Sequence, residues 1–394
     1  MRSLQDDFLN YQAKTTPHPL GIVVKKAKGS YITSESGKKY LDFVAGVSAC
    51  SLGHCHPKVV SAIRKQSKKY LHVMVYGEFA QEPAVNLSKE LIDLLPENHQ
   101  SIYLTNSGTE AIEGALKLAK RVTGRSELIG ALNSYHGSTH GALSLLGSEH
   151  QKVGYRPLLP DTRFIEFNSL ADLENITTKT AAVLLETIQG GAGFILPEND
   201  YLKKVKERCD AVGALLILDE IQPGFGRTGH FFGFEHFNVK PDIIVMGKGM
   251  GGGLPVGAFT ASSELMKMLE DKPKLGHITT FGGNPLIAAS CLATLRVIRD
   301  SKLMQEIPEK EALFRFELNH PKIKSIRGKG LMLAPILENA ELVNQVVLKC
   351  IDRGLLLFWL LWEKKALRIS PPLTISKKEI KKGCAIIRSV LDEI

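Results

Sequence analysis

Lys248 stands in an unusual setting for a lysine, because the segment IIVMGKGMGGG (243–253) places it after an apolar run and among five glycines. A surface lysine normally lies on a helix face or a solvated loop, where glycine has no particular use. Glycine lets another group approach the backbone closely. An amine removed from water has a lowered pKa and is a better nucleophile. The setting therefore predicts that Lys248 is a reactive amine.

A carboxylate is predicted near that amine. Asp219 follows five apolar residues in the run ALLILDE (214–220), which has the composition of a buried strand. A buried carboxylate is costly unless it meets a cation or a hydrogen-bond donor. Because ligands of mostly parallel sheets bind at the carboxyl ends of the strands, we expect Asp219 and Lys248 to lie at the same edge of one sheet.

An anion-binding site is predicted at this edge as well. In TNSGTEAIEGALKLAKRVTG (105–124), Ser107 and Glu110 have the spacing of a capping box, so a helix should begin at or near Ser107. Free N–H groups at a helix start, beside hydroxyls and a glycine, bind anions; the alternative is a plain helix cap. Tyr135 and His136 follow another strand and add an aromatic ring to the edge.

An amine, a carboxylate, an anion site and an aromatic ring together match the needs of pyridoxal 5'-phosphate. The phosphate of this cofactor binds at a helix start, and its ring nitrogen stays protonated only beside a carboxylate. The aldehyde reacts with an amine, and glycines around that amine should give the planar ring room. The sequence therefore predicts a pyridoxal phosphate site that contains Lys248 and Asp219.

Other sites have weaker support. The segment GFGRTG (224–229) has the glycine spacing of a nicotinamide-binding loop, but the residues after it, HFFGFEH, form a poor helix, and that loop requires one. Cys50, His54, Cys55 and His56 lie close together, yet no second Cys/His pair has zinc-site spacing. We therefore predict neither an oxidoreductase nor a metal site.

The elements that must position these groups are short apolar runs separated by helical patterns. Alternating strands and helices of this kind indicate a mostly parallel sheet covered by helices on both faces. The predicted strands are 101–105, 127–132, 181–186, 214–220, 242–246 and 256–261. Residues 21–44 form a predicted antiparallel meander, and the chain beyond about residue 288 mixes helices and strands.

Composition limits the partners. The chain has 394 residues, 44% hydrophobic and 23% charged, which is typical of a soluble protein with two domains. It has no apolar run long enough to span a membrane, and its polar N-terminus is not that of a targeting segment, so we expect a cytoplasmic protein. The net charge of +9 is spread without interleaved aromatic residues, which favours a small anionic ligand over nucleic acid.

Seven segments resemble the class III (omega) aminotransferases, the family that includes acetylornithine, ornithine and 4-aminobutyrate aminotransferases. The resemblance runs from about residue 18 to the C-terminus, and the segments are NSGTEA, YHGS, DEIQPGFGRTG, GKGMGGGLPVGA, TTFGGNPL, IRGKGLM and LRISPPLT. It implies the type I pyridoxal phosphate-dependent transferase fold, with a mostly parallel seven-stranded sheet and a smaller α+β domain from both termini. On this basis we predict a small-domain segment at 1–54, a large cofactor-binding domain at 55–287 and a C-terminal small domain at 288–394.

The resemblance also implies roles for individual residues. Lys248 would attach covalently to the cofactor and then move a proton, while Asp219 would hold the ring nitrogen. Arg368 would bind the α-carboxylate of the substrate. Thr280 would reach the phosphate in the other subunit of a homodimer, whose active sites lie at the interface. The remaining cofactor contacts implied are Ser107, Gly108 and Thr109 to the phosphate, Tyr135 on the ring face with His136 beside it, Gln222 to the phenolic oxygen, and Glu186 supporting the adjacent loop.

Two positions depart from the family, and both concern the substrate. Ser138 stands where the three named enzymes carry an arginine for a second carboxylate, and Gly191 stands where they carry a glutamate that masks the arginine equivalent to Arg368. Without that glutamate, Arg368 should always be available. The sequence leaves open whether another arginine, such as Arg156, takes over the role of the one absent at position 138. The apolar side chains around Trp362 either line the substrate pocket or pack in the core.

The function implied is a ping-pong transamination in amino-acid metabolism. A terminal amino group would move from an omega-amino acid such as ornithine, acetylornithine or 4-aminobutyrate to an α-keto acid such as 2-oxoglutarate or pyruvate. Three alternatives stay open. They are a glutamate-1-semialdehyde-type aminomutase, an aminotransferase for a less carboxylated amine with pyruvate, and a cofactor-binding dimer that has lost catalysis.

Overall fold

The computed structural model describes residues 3–394. The strands in chain order are β1 (Val24–Lys28), β2 (Tyr31–Ser34), β3 (Lys39–Asp42), β4 (Ser101–Thr105), β5 (Glu127–Ala131), β6 (Thr162–Ile165), β7 (Thr180–Glu186), β8 (Leu215–Asp219), β9 (Ile243–Gly247), β10 (Gly257–Ala261), β11 (Ser325–Lys329), β12 (Met332–Ile336), β13 (Leu355–Leu356), β14 (Phe358–Trp359) and β15 (Leu367–Arg368).

The helices alternate with the strands in the middle of the chain. In chain order they are α1 (Leu4–Tyr11), α2 (Ala45–Ser48), α3 (Pro57–Ser67), α4 (Glu82–Ile92), α5 (Gly108–Thr123), α6 (His140–Ser144), α7 (Tyr201–Val212), α8 (Ser263–Lys267), α9 (Pro285–Arg299), α10 (Leu303–Glu317), α11 (Ala340–Asp352) and α12 (Lys377–Glu393). None of these described helices is long and apolar enough to cross a membrane.

A seven-stranded sheet in the order β4-β10-β9-β8-β7-β5-β6 forms the centre of the described chain. All its strands run parallel except β10, which is antiparallel to both β4 and β9. The predicted fold class and the six predicted strands are confirmed, with ends that differ by about one residue. The edge strand β6 was missed, because its partly exposed sequence TRFI has no continuous apolar run.

Helices cover both faces of this sheet because consecutive strand residues point to opposite sides. Ile217 packs in the same cluster as Ile112 of α5, whereas its neighbour Leu218 packs with Val205 of α7. Burying a leucine or isoleucine in this way contributes roughly 1.5–3 kcal/mol each. The two-sided core holds the carboxyl ends of the central strands in a fixed relation to the start of α5.

The two ends of the chain meet in a smaller sheet. Strands β1, β2 and β3 form the predicted antiparallel meander, and β13 from the C-terminal part adds to it in parallel with β3. A bridge between Leu333 and Ile369 joins β12 to the segment after β15. The domain boundaries at residues 54/55 and 287/288 remain a prediction.

Candidate active site

Three neighbouring strands end at one place and carry the charged groups of the site. Glu186 ends β7 and Asp219 ends β8, and the two residues pair in the parallel register. Lys248 follows β9, the next strand across. Both carboxylates are buried, with 8% and 4% of the residue surface exposed. The structure therefore places Asp219, Glu186 and Lys248 at one edge of the sheet.

Asp219 is held by two hydrogen bonds. Its Oδ2 lies 2.8 Å from Nδ1 of His136, and its Oδ1 accepts a hydrogen bond of 2.9 Å from the N–H of Ile221. His136 is itself buried, and its Nε2 has no hydrogen-bond partner in the described chain. These contacts fix the direction of the carboxylate beside the reactive amine.

Lys248 is half-buried and begins a 3-10 turn with a left-handed backbone, φ +42°. Burial lowers the pKa of Lys248 below the usual value of a lysine. The charges of Asp219 and Glu186 raise this pKa, and that of Arg368 lowers it. Burial prevails, so the amine is unprotonated at a lower pH than an exposed lysine would be.

The glycines around Lys248 accommodate the protein's own chain. A Cβ atom on Gly249 would lie 2.5 Å from Oγ of Ser51, and one on Gly251 would lie 3.0 Å from Cγ1 of Val256. A Cβ on Gly252 would clash with the hydroxyl of Thr294. The expectation that these glycines make room for a planar cofactor is therefore wrong for these three positions, which pack against neighbouring segments.

Glu186 and Gln222 surround the loop that follows β7. Oε2 of Glu186 accepts a hydrogen bond of 3.2 Å from the N–H of Gly190, and Nε2 of Gln222 donates to Oγ of Ser48 at 3.4 Å. Burial, and then the charge of Asp219, raise the pKa of Glu186 well above its usual value. The charge of Asp219 thus favours the protonated form of Glu186 beside the amine.

The start of α5 lies where the sequence predicts an anion site. Ser107 is the N-cap and accepts a hydrogen bond from the N–H of Glu110 at 3.3 Å. The predicted capping box also requires the Glu110 carboxylate to accept from the backbone N–H of Ser107. This part of the prediction is wrong, because the carboxylate accepts from Asn106 instead. The first N–H groups of a helix have no acceptor within the helix, which leaves those of Gly108 and Thr109 for a ligand.

Arg368 is buried at 5% exposure and lies on the hairpin formed by β14 and β15. Its Nε donates to the carbonyl of Trp359 at 3.3 Å, and its guanidinium lies 5.8 Å from the ring centre of Phe194. Its Nη1 has no hydrogen-bond partner within residues 3–394. Burial lowers the pKa of Arg368 to about 10, against the opposing effect of Glu186.

Three residues considered from the sequence are exposed and are not buried with this cluster. Thr280 is exposed on the segment before α9, and Ser138 is exposed with its Oγ 3.3 Å from the hydroxyl of Tyr135. Arg156 is exposed and pairs with Glu149, to which its Nε donates at 3.1 Å. Arg156 is therefore engaged elsewhere.

Sequence reasoning missed two residues that shape the site. Glu220 is fully buried beside Asp219, accepts from Thr187 and from two backbone N–H groups, and burial raises its pKa to about 7. Its position after an apolar strand was the available signal. Phe194 faces Arg368, and its segment GAGFIL gave no comparable signal.

The residues present fit pyridoxal phosphate. A buried carboxylate that is already oriented suits a protonated ring nitrogen, and the helix start at Ser107 suits a phosphate. The half-buried amine of Lys248 suits covalent attachment, and the unpartnered Nη1 of Arg368 suits a substrate carboxylate. The four groups belong to one edge of the same sheet and the hairpin beside it.

Comparisons with known proteins agree with this geometry. The family model described as Aminotransferase class-III matches residues 11–391. An acetylornithine aminotransferase of Caldanaerobacter subterraneus is 37% identical over 390 residues, 95% of each chain, and one of Bacillus subtilis is 36% identical over 94% of this chain and 95% of its own. The structure of an ornithine aminotransferase from Toxoplasma gondii, with partial occupancy of pyridoxal phosphate at its active site, superimposes with a TM-score of 0.91 at 30% identity, covering 99% of this chain and 94% of that one.

Proposed function

The chain belongs to the class III aminotransferases and is a pyridoxal phosphate-dependent transaminase, and from this premise we propose that it moves a terminal amino group to an α-keto acid in two half-reactions. The proposed donors are omega-amino acids like ornithine, acetylornithine or 4-aminobutyrate, and the proposed acceptors are 2-oxoglutarate or pyruvate. The observation that carries this proposal is the cluster of Lys248, Asp219, Glu186 and Arg368 at one edge of the sheet.

Pyridoxal phosphate, when bound, supplies an aldehyde and a ring that withdraws electrons from the substrate carbon. Asp219 keeps the ring nitrogen protonated, with His136 and Ile221 fixing the carboxylate. The start of α5 at Ser107–Thr109 would hold the phosphate, Tyr135 would cover the ring face, and Gln222 would donate to the phenolic oxygen.

Lys248 has two tasks in this proposal. It is the point of covalent attachment, and once released it is the base that takes a proton from the substrate carbon. Its lowered pKa supports both, because only the unprotonated amine attacks an aldehyde or accepts a proton. In this proposal Arg368 binds the carboxylate of the keto acid. Because the charge of Arg368 lowers the pKa of Lys248, the two side chains are near each other, and the bound carboxylate would lie beside the reacting carbon.

We further propose that the enzyme is a homodimer whose partner subunit contributes Thr280 to the phosphate. Thr280 lies in an exposed segment that also carries exposed apolar side chains, which is typical of an interface. These side chains, with those of the nearby segment 71–79, are Leu71, Met74, Phe79, Leu275, Ile278 and Phe281.

We place the enzyme in the cytoplasm, since its six cysteines are all free.

A second candidate function has one observation in its favour. Ser138 supplies a hydroxyl where an arginine would bind a second carboxylate, and Arg156 pairs with Glu149 instead. Losing a charged clamp of this kind costs about 2–4 kcal/mol of carboxylate binding. A less carboxylated amine with pyruvate as acceptor is therefore the alternative pair.

A donor panel tests both candidates. Ornithine, acetylornithine, 4-aminobutyrate, lysine, β-alanine and simple diamines are each assayed with 2-oxoglutarate and with pyruvate. The fastest turnover with an omega-amino acid supports the first candidate, and the fastest turnover with a diamine and pyruvate supports the second. Turnover without any keto acid would instead identify an aminomutase, and no transfer with any pair would refute the proposed function.

A further inference from the structure

The indole of Trp362 lies directly against Gly191. The backbone N–H groups of Trp362 and Glu363 both donate to the backbone carbonyl of Gly191, at 2.9 Å and 3.3 Å. A Cβ atom on Gly191 would lie 2.8 Å from Nε1 and 2.9 Å from Cδ1 of Trp362. Real Cβ atoms do not approach other atoms this closely. The indole therefore occupies the space that any side chain at position 191 would need.

Two hydrogen-bond donors in this region are enclosed without an acceptor. Within residues 3–394, neither Nε1 of Trp362 nor Nη1 of Arg368 has a hydrogen-bond partner. A buried indole N–H normally finds an acceptor, and an unpaired buried donor destabilises the fold. Two such donors on one hairpin point to a ligand that supplies the acceptors.

The two donors belong to the same small structure. Arg368 is on β15, and its Nε donates to the carbonyl of Trp359 on the paired strand β14. Trp362 lies in the turn between these two strands, and Gly191 fixes that turn through its carbonyl. Hydrogen bonds thus hold the hairpin that carries both donors at its strand β15 and at its turn.

This structure borders the reactive amine. The N–H of Gly190, next to Gly191, donates to Glu186, which is paired in the sheet with Asp219. The guanidinium of Arg368 interacts electrostatically with both Glu186 and Lys248. No carboxylate of the described chain forms a salt bridge with Arg368, although Glu186 is near. Arg368 is therefore near enough to the amine for its charge to act on it, and Trp362 lies on the same hairpin as Arg368.

We infer that Trp362 is a specificity-determining residue: its indole N–H binds the substrate carboxylate together with Arg368, and its ring keeps position 191 free of any side chain that would pair with Arg368. The inference rests on the proposed transamination. It concerns the half-reaction with the α-keto acid, whose carboxylate is adjacent to the reacting carbon, because two donors without an internal acceptor are available for that carboxylate.

The first test is Trp362→Phe in the holoenzyme, which removes the N–H and keeps an aromatic ring. We expect the KM for the keto acid to rise about 10-fold to 100-fold, as for a lost hydrogen bond to a charged group, with kcat and the melting temperature nearly unchanged. The matched control is Phe358→Leu, an exposed ring on the same hairpin, which should leave KM as it is. An unchanged KM in Trp362→Phe would overturn the inference.

The second test examines the space at position 191 by a double-mutant cycle. Gly191→Ala should lower the melting temperature in the wild-type protein, because its Cβ must displace the indole. The same substitution in a Trp362→Leu background should have little further effect. If Gly191→Ala lowered the melting temperature equally in the wild-type protein and in the Trp362→Leu background, the indole would not be what excludes a side chain at position 191. This outcome does not depend on whether Trp362→Phe folds well. If the wild-type enzyme itself transferred no amino group, the proposed function would fail before either test.

Discussion

Arg227 and Arg368 are both buried arginines, yet their surroundings differ. Neither forms a salt bridge within the described chain, and burial lowers the pKa of each, to about 9 for Arg227 and about 10 for Arg368. The two terminal nitrogens of Arg227 donate to the carbonyls of Leu331 and Pro371 and to the hydroxyl of Ser51. Arg368 makes one such bond, through Nε, and its Nη1 stays without an acceptor.

The difference separates a structural cation from a binding one. Arg227 joins the turn after β8 to segments from both ends of the chain, and both of its terminal nitrogens donate to protein oxygens, although its Nε has no acceptor in the described chain. Arg368 keeps a terminal donor for an acceptor that the protein does not supply. A buried cation is costly unless its donors find acceptors, so the terminal nitrogen of Arg368 that lacks an acceptor marks the proposed place of an anionic substrate.

The largest expected effect is that of Arg368→Gln. Glutamine keeps a polar side chain but removes the charge and the paired donors, so kcat/KM for the keto acid should fall by about 10²-fold to 10³-fold. Stability should change little, because the hydrogen bond to the carbonyl of Trp359 and the contact with Phe194 are lost together with the cost of burying an unpaired charge. Steady-state kinetics measure the change in kcat/KM, and a thermal melt measures the change in stability. An unchanged kcat/KM for the keto acid would contradict the binding role of Arg368.

Arg227→Met should show the reverse pattern. It leaves the carbonyls of Leu331 and Pro371 without their donor in a buried place, which should lower the free energy of unfolding by about 2–3 kcal/mol. The folded fraction should transfer amino groups at the wild-type rate. Denaturant unfolding with activity measured per folded molecule checks this, and a selective loss of keto-acid binding would erase the contrast between the two arginines.

A pH profile sharpens the contrast further. The charge of Arg368 lowers the pKa of Lys248, whereas Arg227 is not among the groups that act on it. Removing the positive charge in Arg368→Gln should therefore raise the pKa of Lys248 and move the acidic limb of kcat toward higher pH. Arg227→Met should leave that limb in place. A shift toward lower pH in Arg368→Gln would contradict the electrostatic account.

The smallest effect concerns the left-handed turn that precedes Ser51, a partner of Arg227. Residues 45–48 are all left-handed, including the β-branched Val47 at φ +57°, and Ser48 contacts Gln222 while nearby Ser51 contacts Arg227. Relieving this strain in Val47→Gly should raise the free energy of unfolding by about 1 kcal/mol. Val44→Gly, at φ −114°, is the control and should destabilise. A loss of stability in Val47→Gly would show that the turn is not strained.

Much of this fold was predictable because the central strands β7, β8 and β9 are almost continuous apolar runs that end in, or are followed by, a charged residue. Asp219 and Lys248 could be placed on one edge for that reason alone. The helix α10 has Pro308 in its interior and no clear apolar face, so the sequence pattern did not indicate a helix there. The two-residue strands β13, β14 and β15 exist only through their partners, so no local pattern marks them.

The site was less predictable where it depends on contacts between distant segments. The hydrogen bond between His136 and Asp219, the packing of Trp362 on Gly191 and the contact of Phe194 with Arg368 join loops that are far apart in sequence. Spacing within one segment carries no information about such pairs. The roles of Thr280 and Tyr135 rest on the family resemblance and stay predictions.

The attachment point of the cofactor tests the central claim most directly. The holoenzyme is reduced with borohydride, which fixes pyridoxal phosphate to the lysine that carries it, and is then digested and sequenced by mass spectrometry. The site at the end of β9, beside Asp219, requires the adduct on Lys248. An adduct on any other lysine would contradict the account.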